Sequence, residues 1–539
     1  MIDRHTFHMF TLFIFWSVLI FFWNIWLNDI WTANEAFYAE AVREMFENKN
    51  FIEIYYNYEP RFNKPPLTYW SIALSSLIFG LNEFAVRLPI VLYAIGSIIL
   101  TFLIAMRLYK NVHIAFYSLF VVMFSVQFFI NSRYASPEIP LTFFFTLTLY
   151  FFLVGYQTKR WIYIYLSYLA LSLTILTKGY PYLIVIGGIV IFYLLIENQL
   201  SLKRFWKDFL FLRVHLGIPI ILVIGFSWFV YMYLKFGNQF LDIYMEETIK
   251  RALTKKSKGI SDLFFYIYVI LWGFLPYSLV FFYSLYFSFR DKIKKHYFIL
   301  SWIGVMFIIF TIAKGKIPTY FIQAHPALAI LTGYAMYHYI SKNKYQTYFY
   351  YLLYIVPTIL ILYGNYYLIH AFNLDYFYYI IMAFPILYIL KYKDVRLVPY
   401  LSALVIAFTF TVSVLPIIEK YRPYDQIGTA VKENFVPKTI PLMIENRFIH
   451  NLPFYTKRKV LRDITTEKIV SLYRTRSKPI LALVTQETLQ KLENAPVIWK
   501  GYLYKKSSES RFLILIKYVI KAYHGDMSGF EKRFLIYRP

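Results

Sequence analysis

Hydrophobic residues occur along most of this chain in runs of about 20, each long enough to cross the ~30 Å hydrocarbon core of a bilayer. From residue 1 to residue 419, these runs predict about thirteen membrane spans. The first run, His8 to Leu27, has no small-residue cleavage motif after it, so we interpret it as a retained span. The predicted spans are 8–27, 86–106, 113–132, 139–156, 161–177, 180–196, 214–235, 263–288, 297–313, 326–340, 347–368, 375–390 and 397–417.

The short polar connections between these runs predict the orientation. Lys and Arg cluster on every second connection, and positively charged short loops mark the cytoplasmic side of a membrane protein. The alternation requires that Leu67 to Gly80, a run of about fourteen residues, lies at the membrane interface without crossing. We therefore expect a cytoplasmic N-terminus, with the first loop (residues 28–85) and everything after Tyr421 outside the cytoplasm.

The pattern changes at residue 420. Short β-like stretches predict β-strands at 440–444, 480–485, 497–504 and 512–517, and helical patterns predict helices at 425–434 and 465–473. Strands that alternate with helices favour a small α/β domain with a partly parallel sheet. The predicted fold class is a mainly α, polytopic membrane domain, residues 1–419, followed by this α/β domain, residues 420–539.

Composition narrows the class of protein and of partner. The chain is 59% hydrophobic and 16% charged, whereas an ordinary soluble domain has about 25% charged residues. It has no Cys, which excludes disulfides, thiolate nucleophiles and cysteine-based metal sites. The net charge is +26, and much of it flanks membrane spans or lies in residues 420–539, which contain 23 Lys+Arg and 10 Asp+Glu. Anionic lipid is therefore the expected partner, and nucleic acid is not.

The first loop carries the first candidate residues for chemistry. Thr32-Ala33-Asn34-Glu35 has the spacing of a capping box, and a helix with one apolar face follows it. Two interpretations stay open: an amphipathic helix that lies on the membrane with Glu35 as its cap, or a helix N-terminus that presents Glu35 and free N–H groups to an anionic ligand. Later in the loop, Lys64 precedes Pro65-Pro66, which restrict the backbone and present a compact cation suited to phosphate.

Further charged residues occupy the other outward loops. Glu138 lies between two apolar spans, where a carboxylate without a purpose would be costly, so a functional role is favoured. The other outward candidates are Lys178, Arg251, Lys316, Tyr320 and His325. Each cation alone is explained as a snorkelling anchor at the end of a span, whereas several cations on one face suit an anionic ligand. His325 is expected to form hydrogen bonds at an interface.

Taken in order, these segments resemble the polytopic C-superfamily (GT-C) glycosyltransferases that use polyprenyl-phosphate sugars. The resemblance is to the branch of the lipid A 4-amino-4-deoxy-L-arabinose transferase, related to the dolichyl-phosphate-mannose-protein mannosyltransferases, and covers Trp31 to Pro326. The matching positions are Asn34-Glu35, Arg43-Glu44-Met45, Asn63-Lys64-Pro65, Glu138, Lys178-Gly179, and Lys316, Pro318 and Tyr320, with Phe229 to Arg251 similar to the family's long outer loop.

The resemblance implies roles for these residues. It implies a GT-C fold with juxtamembrane helices in the first loop, and catalysis with inversion at the anomeric carbon. The implied catalytic group is Asn34, Glu35 and Glu138. The implied ligands of the donor phosphate are Lys64, Lys178, Arg251, Lys316 and Tyr320. Asn63, Tyr58 and Arg43 are further candidates in the first loop.

Three departures from the family pattern bear on the mechanism. The family's leading aspartate is Asn34 here, its glutamate before the lysine is Asn63, and a frequent arginine is Phe37. Because asparagine cannot take a proton as a base, either Glu35 or Glu138 has that role or no base is needed. An acceptor phosphate is already ionised at neutral pH, which favours a phosphorylated glycolipid such as lipid A. Loss of activity is the remaining alternative.

We therefore expect a monomeric glycosyltransferase of the bacterial inner membrane, with its active site and terminal domain in the periplasm. Its partners would be a polyprenyl (undecaprenyl) phosphate sugar donor, an anionic lipid A-type acceptor and membrane lipids. No cofactor is certain, and a divalent metal ion stays open, with Glu35, Glu138 and His325 as candidate ligands. The alternatives are a protein O-mannosyltransferase-like enzyme, a non-catalytic lipid-binding scaffold, and a lipid transporter or flippase, which would show repeated halves with broken helices.

Overall fold

The structure, a computed structural model, describes residues 4–250, 262–338, 344–475, 478–509 and 511–539. It is mainly helical up to residue 419 and continues as a five-stranded sheet with helices. The elements of the first part are α1 Arg4–Phe22, α2 Asn34–Asn48, β1 Tyr55–Tyr56, β2 Glu59–Pro60, α3 Leu67–Phe79, α4 Glu83–Tyr109, α5 Val112–Met123, α6 Val126–Asn131, α7 Glu138–Thr158, α8 Trp161–Lys178, α9 Pro181–Glu197, α10 Leu202–Phe211, α11 Val214–Ile220, α12 Ser227–Phe236, α13 Asn238–Met245, α14 Phe265–Gly273, α15 Ser278–Arg290, α16 Tyr297–Ile312, α17 His325–His338, α18 Lys344–Ala371, α19 Phe377–Met382, α20 Phe384–Tyr392, α21 Val398–Thr409 and α22 Leu415–Glu419.

The predicted multi-pass membrane character is confirmed. Among the described residues, six helices are long and apolar enough to cross a membrane: Glu83–Tyr109, Glu138–Thr158, Trp161–Lys178, Lys294–Ile312, Tyr348–Ala371 and Val398–Glu419. A seventh span results if Leu202–Phe211 and Val214–Gly225, which meet at 42°, count as one bent helix. The predicted count of about thirteen is not confirmed, because several runs form shorter or broken helices. The run at 263–288, for example, is divided between α14 and α15.

Close packing of membrane helices depends on small residues. Gly333 of α17 faces Ser118 of α5, and a Cβ atom at Gly333 would lie 2.4 Å from the Ser118 hydroxyl and 2.9 Å from the carbonyl oxygen of Ile114. Glycine and serine let two backbones approach in this way within a bilayer, where lipid offers no competing hydrophobic drive. The core of the membrane part forms one continuous apolar cluster around such contacts.

The first loop folds beneath the terminal domain. In α2, the charged residues Glu40, Arg43 and Glu44 are buried together with the apolar face. The Tyr56 hydroxyl donates to the carbonyl oxygen of His450 at 2.9 Å, so the hairpin β1–β2 is covered by protein. The interpretation of α2 as a helix that lies on the membrane surface is therefore wrong, because protein covers both of its faces.

The terminal domain contains α23 Tyr424–Glu433, β3 Leu442–Glu445, α24 Leu452–Thr456, β4 Val460–Ile464, α25 Thr466–Thr475, β5 Ile480–Thr485, α26 Gln486–Lys491, β6 Val497–Tyr504, α27 Phe512–Tyr523 and β7 Phe530–Arg538. The strand order is β4-β3-β5-β7-β6, with β3 parallel to β4 and β5, and β7 antiparallel to β5 and β6. The predicted α/β class and the partly parallel sheet are confirmed.

One predicted strand of this domain is wrong. Residues 512–517 begin the helix α27, although their sequence Phe-Leu-Ile-Leu-Ile-Lys has the composition of a strand. The buried positions Leu515, Val519 and Ala522 recur at helical spacing, which the short β-like window did not reveal. Strands β4 and β7 were not predicted.

A buried arginine joins the two parts of the chain. Arg422 is paired with Glu509 at 2.7 Å and with Glu419 at 2.8 Å, and its guanidinium lies 3.8 Å from the centre of the Trp31 ring. It also donates to the carbonyl oxygens of Asp29 and Ile30. The start of the first loop is therefore fixed by the terminal domain.

Candidate active site

A lysine and a glutamate meet where the helices α7 and α8 form an antiparallel hairpin. Glu138 is the first residue of α7 and Lys178 is the last residue of α8, so both lie at the same end of the hairpin. The Lys178 ammonium is 2.5 Å from Glu138 Oε2, and the Thr319 hydroxyl donates to Glu138 Oε1 at 3.0 Å. Both carboxylate oxygens of Glu138 are therefore occupied.

The segment after α16 supplies the next residues of the site. Tyr320 lies in a 3₁₀ helix, Pro318–Ala324, and its ring centre is 5.1 Å from the Lys178 ammonium. Lys316 points elsewhere: its ammonium donates to the carbonyl oxygens of Thr311 and Ala313, at 2.6 and 2.7 Å. These groups are the free carbonyls at the C-terminus of α16, so Lys316 stabilises a helix end. This placement does not favour Lys316 as a phosphate ligand.

Lys64 joins this group from the first loop. It is partly exposed, and within the described residues it forms no ion pair. The charges of Lys178, Glu138 and Glu247 act on it, and loss of water followed by repulsion from Lys178 lowers the pKa of Lys64 to about 8. A lysine without its own carboxylate, next to a second lysine, favours the binding of an anion.

A tyrosine lies against the backbone next to Lys178. Gly179 has a φ of +116°, and a Cβ atom there would lie 2.1 Å from the hydroxyl oxygen of Tyr244. Glycine is required here both for the backbone conformation and for space. The end of α8, and with it Lys178, therefore packs closely against α13.

Glu35 is the partner of a buried arginine. It is fully buried, and Arg87 donates to both of its oxygens, at 2.8 and 2.7 Å. The backbone N–H groups of Trp31 and Ala135 donate to the same carboxylate at 2.8 Å each. The predicted capping box is wrong, because α2 begins after Ala33 and has no side-chain cap. With four donors on its two oxygens, Glu35 fits a positioning role, not that of a base.

The remaining candidates of the first loop differ in their surroundings. Asn34 is exposed at the start of α2, and Asn63 is partly exposed beside Lys64. Arg43 is paired with Glu40 at 2.7 Å and donates to the hydroxyl of Tyr58 at 3.2 Å, so this pair stabilises the loop under the terminal domain. The structure therefore brings Lys64, Glu138, Lys178 and Tyr320 together, and it does not bring Arg43 and Tyr58 into that group. Arg251 lies outside the described residues.

Arg61 was missed in the sequence. Its guanidinium lies 4.0 Å from the centre of the Phe37 ring, and its charge acts on Lys64. In the family that the sequence resembles, an arginine is frequent at the position of Phe37. Here Arg61, from another part of the first loop, places its guanidinium next to that position. Its place directly before Phe62-Asn63-Lys64 is the signal that could have identified it.

The candidate metal ligands do not form a site together. Glu35 is saturated by four donors, Glu138 is paired with Lys178, and His325 bonds Ser125 and Gln127 with its two ring nitrogens, at 2.8 and 3.2 Å. No group of three His, Cys, Asp or Glu side chains that could hold a metal ion occurs in the part of the chain that the structure describes. These residues do not fit a metal ion, and His325 forms the interface hydrogen bonds expected of it.

Comparison with known proteins shows which enzymes this chain is similar to. The family model for dolichyl-phosphate-mannose-protein mannosyltransferase matches residues 7–242. An uncharacterised protein of Aquifex aeolicus (strain VF5) is 32% identical over 92% of this chain and 93% of its own length. The undecaprenyl phosphate-alpha-4-amino-4-deoxy-L-arabinose arabinosyl transferase of Wigglesworthia glossinidia brevipalpis is 28% identical over 58% of this chain and 56% of its own length.

A solved structure gives the same fold. ArnT from Cupriavidus metallidurans, crystallised with undecaprenyl phosphate, is 20% identical, has a TM-score of 0.75, and is matched over 91% of this chain and 96% of its own. The expected GT-C fold is thereby confirmed. The chain therefore matches the dolichyl-phosphate-mannose-protein mannosyltransferase family model over residues 7–242 and is similar to ArnT-type transferases, which indicates a membrane glycosyltransferase that uses lipid-linked sugars.

Proposed function

We propose that this enzyme transfers a sugar from an undecaprenyl phosphate donor to a phosphate group of a lipid A-type glycolipid on the periplasmic side of the inner membrane. The observation that carries the proposal is the charge balance of the site. Three cations, Lys64, Lys178 and Arg61, lie with two carboxylates, Glu138 and Glu247, and Glu138 is already paired with Lys178. An excess of positive charge at the mouth of a membrane protein suits a phosphorylated lipid.

In this proposal the cations act on the leaving group. As the bond between the anomeric carbon and the donor phosphate breaks, negative charge grows on the phosphate oxygens. Lys64 and Lys178 stabilise that charge, and because the fold holds them in place beforehand, little reorganisation is needed. The hydroxyl of Tyr320 donates a further hydrogen bond to the phosphate. Polyprenyl phosphate then departs with both electrons of the broken bond.

The acceptor follows from the surroundings of the candidate bases Glu35 and Glu138. The carboxylate oxygens of Glu35 and Glu138 all have donors, and Asn34 cannot take a proton. A serine or threonine hydroxyl would need a positioned base to attack at neutral pH. A phosphate oxygen is already ionised, so it attacks the anomeric carbon directly from the face opposite the leaving group. This route inverts the anomeric carbon and requires no proton transfer.

An apolar cavity whose lining reaches the first turn of α9 suits the polyprenyl chain. It has a volume of about 410 Å³ and is lined by residues of α7 to α11, among them Leu183, Ile186 and Leu212. Leu183 lies in the first turn of α9, which begins directly after Lys178-Gly179-Tyr180. In the proposal the donor phosphate lies at Lys178 and its isoprenoid chain runs along α9 into this cavity.

The acceptor requirement tests the proposal. Purified enzyme in proteoliposomes is given cell-extracted polyprenyl phosphate sugars and either lipid A or lipid A treated with phosphatase, and the products are identified by mass spectrometry. We expect a mass increase of one sugar on phosphorylated lipid A only. Transfer to the dephosphorylated lipid or to a serine-containing peptide at an equal rate would contradict the proposal.

A pair of lysine variants provides the matched control. Lys64→Ala is expected to lower transfer strongly, because a phosphate contact is lost. Lys314→Ala removes an exposed lysine from another outward loop and is expected to leave transfer unchanged. Equal transfer by wild type and Lys64→Ala would remove the assignment of Lys64.

A further inference from the structure

A second basic pocket lies in the terminal domain, on residues that the proposed reaction does not use. It has a volume of about 480 Å³ and is lined by Arg447, Lys505, Lys506, Ser507, Ser508 and Arg511. Arg447 follows β3, residues 505–508 follow β6, and Arg511 directly precedes α27. We call this group the terminal-domain pocket. Its size is within the range of about 300–1,000 Å³ that is usual for small-molecule sites.

The lining of the terminal-domain pocket has four cations and no carboxylate. Arg447 uses Nη1 to donate to the carbonyl oxygens of Tyr504 and Lys505, while its Nε and Nη2 are buried and have no partner among the described residues. The carboxylate of Glu509, nearest in sequence, is already bonded by Arg422 through both oxygens. Buried guanidinium N–H groups without an acceptor are costly, so an anion in this pocket would be stabilised.

The terminal-domain pocket lies next to contacts between α27 and helices of the membrane part. Directly after Arg511, the ring of Phe512 packs 5.7 Å from Trp31 and 5.8 Å from Phe410, centre to centre, and Phe410 continues the membrane helix α21. Farther along α27, the ring of His524 bonds the carbonyl oxygen of Ala371, the last residue of α18. These contacts place the pocket beside the membrane part of the chain, and lysine and arginine next to a membrane attract anionic lipids.

An exposed leucine lies close in sequence to the terminal-domain pocket. Leu513, two residues after Arg511, has 80% of its surface exposed. The first residues of α27 also present the N-terminal end of a helix dipole beside the pocket, which favours negative charge. The cations and the exposed apolar side chain together match a ligand that has a charged head and an acyl chain.

We propose that the terminal-domain pocket binds the phosphate group of an anionic membrane lipid, separately from the donor and acceptor sites. The residues after β6, which line the pocket, also bond the start of the first loop. Thr32 donates to the carbonyl oxygen of Ser507 at 3.2 Å, and the N–H group of Glu509 donates to the carbonyl oxygen of Thr32 at 3.0 Å. Lipid binding is therefore expected to stabilise the connection between the terminal domain and the first loop.

Binding of short-chain lipids to the purified full chain in neutral detergent tests this. The probes are dihexanoyl phosphatidylglycerol, dihexanoyl phosphatidic acid, dihexanoyl phosphatidylcholine and inorganic phosphate, each titrated by microscale thermophoresis. We expect the two anionic lipids to bind, and phosphatidylcholine and inorganic phosphate to bind at least tenfold more weakly. Equal affinity for phosphatidylcholine would overturn the role of the cations. Equal affinity for inorganic phosphate would overturn the role of the lipid.

Variants of the lining lysines test whether the lipid binds in the terminal-domain pocket. In the double variant Lys505→Ala/Lys506→Ala, which changes two exposed side chains, we expect a loss of affinity of roughly tenfold or more. The control Lys432→Ala/Lys491→Ala removes two exposed lysines that do not line the pocket and is expected to bind as wild type does. Lys64→Ala should also retain this binding, so failure of the proposed reaction and failure of this proposal are separate results. Unchanged affinity in Lys505→Ala/Lys506→Ala would overturn the proposal.

Discussion

The buried pair of Glu35 and Arg87 allows a quantitative prediction about the first loop. We consider Arg87→Met, which keeps an apolar side chain of similar length but removes the guanidinium. Arg87 and Glu35 are 1% and 0% exposed, so water cannot replace the lost partner. Breaking a buried ion pair by removal of one partner costs about 3–5 kcal/mol. We therefore expect the free energy of unfolding to fall by about that amount.

The matched control is Arg107→Met, at the other end of the same helix α4. Arg107 is partly exposed and donates one hydrogen bond, to Gln157 at 2.7 Å. Its loss is expected to cost about 1 kcal/mol or less. The double variant Glu35→Gln/Arg87→Met removes the uncompensated carboxylate, so it should be more stable than Arg87→Met alone.

The assay is equilibrium unfolding of the purified protein in mixed micelles, with sodium dodecyl sulfate as denaturant and tryptophan fluorescence as the signal. A coupling energy between the two sites of more than about 1 kcal/mol would agree with an ion pair. The reasoning is refuted if Arg87→Met costs no more than Arg107→Met, or if the effects of the two substitutions in the double variant simply add.

Three further predictions concern the site and the loop. Because the pKa of Lys64 is lowered to about 8, kcat/KM should fall as the pH rises through 8 and the lysine loses its proton. The variant Lys64→Arg should move this fall to higher pH, because arginine stays charged. A fall at the same pH in both proteins would contradict the assignment of Lys64. Gly179→Ala should lower both stability and transfer through its clash with Tyr244, and adding Tyr244→Phe should recover part of both; no recovery in thermal unfolding would argue against the clash. Asn57→Gly retains the positive φ but loses two hydrogen bonds with the backbone of Val460. The free energy of unfolding in the same micelle assay should therefore fall by about 1–3 kcal/mol. An unchanged unfolding midpoint would show that this contact does not stabilise the loop.

Local patterns in the sequence predicted much of this structure. Charged residues stand out in an apolar chain, so Lys64, Glu138 and Lys178 could be recognised one by one, and the resemblance to a family joined them. Strands 480–485 and 497–504 have the predicted bounds, because their β-branched and aromatic residues lie within a short window. The helix α27 was misread for the same reason, since six residues are too few to show helical spacing.

Long-range pairing could not be predicted. Arg87 lies 52 residues after its partner Glu35, and Arg422 lies 393 residues after the Asp29 carbonyl to which it donates. The sequence around each arginine contains no feature that indicates its partner. Lys316 and Lys178 are both lysines next to membrane helices, yet only the three-dimensional structure shows that one bonds a helix end and the other faces Glu138.

Binding of undecaprenyl phosphate to Lys64 variants tests most directly whether a cation without its own carboxylate holds the departing phosphate. The affinity of the purified protein is measured at pH 7, where Lys64 is charged. We predict that Lys64→Ala binds roughly tenfold to hundredfold more weakly than wild type, as expected for a lost charge-assisted hydrogen bond, and that Lys64→Arg and Lys314→Ala retain binding. Wild-type affinity in Lys64→Ala would contradict the account.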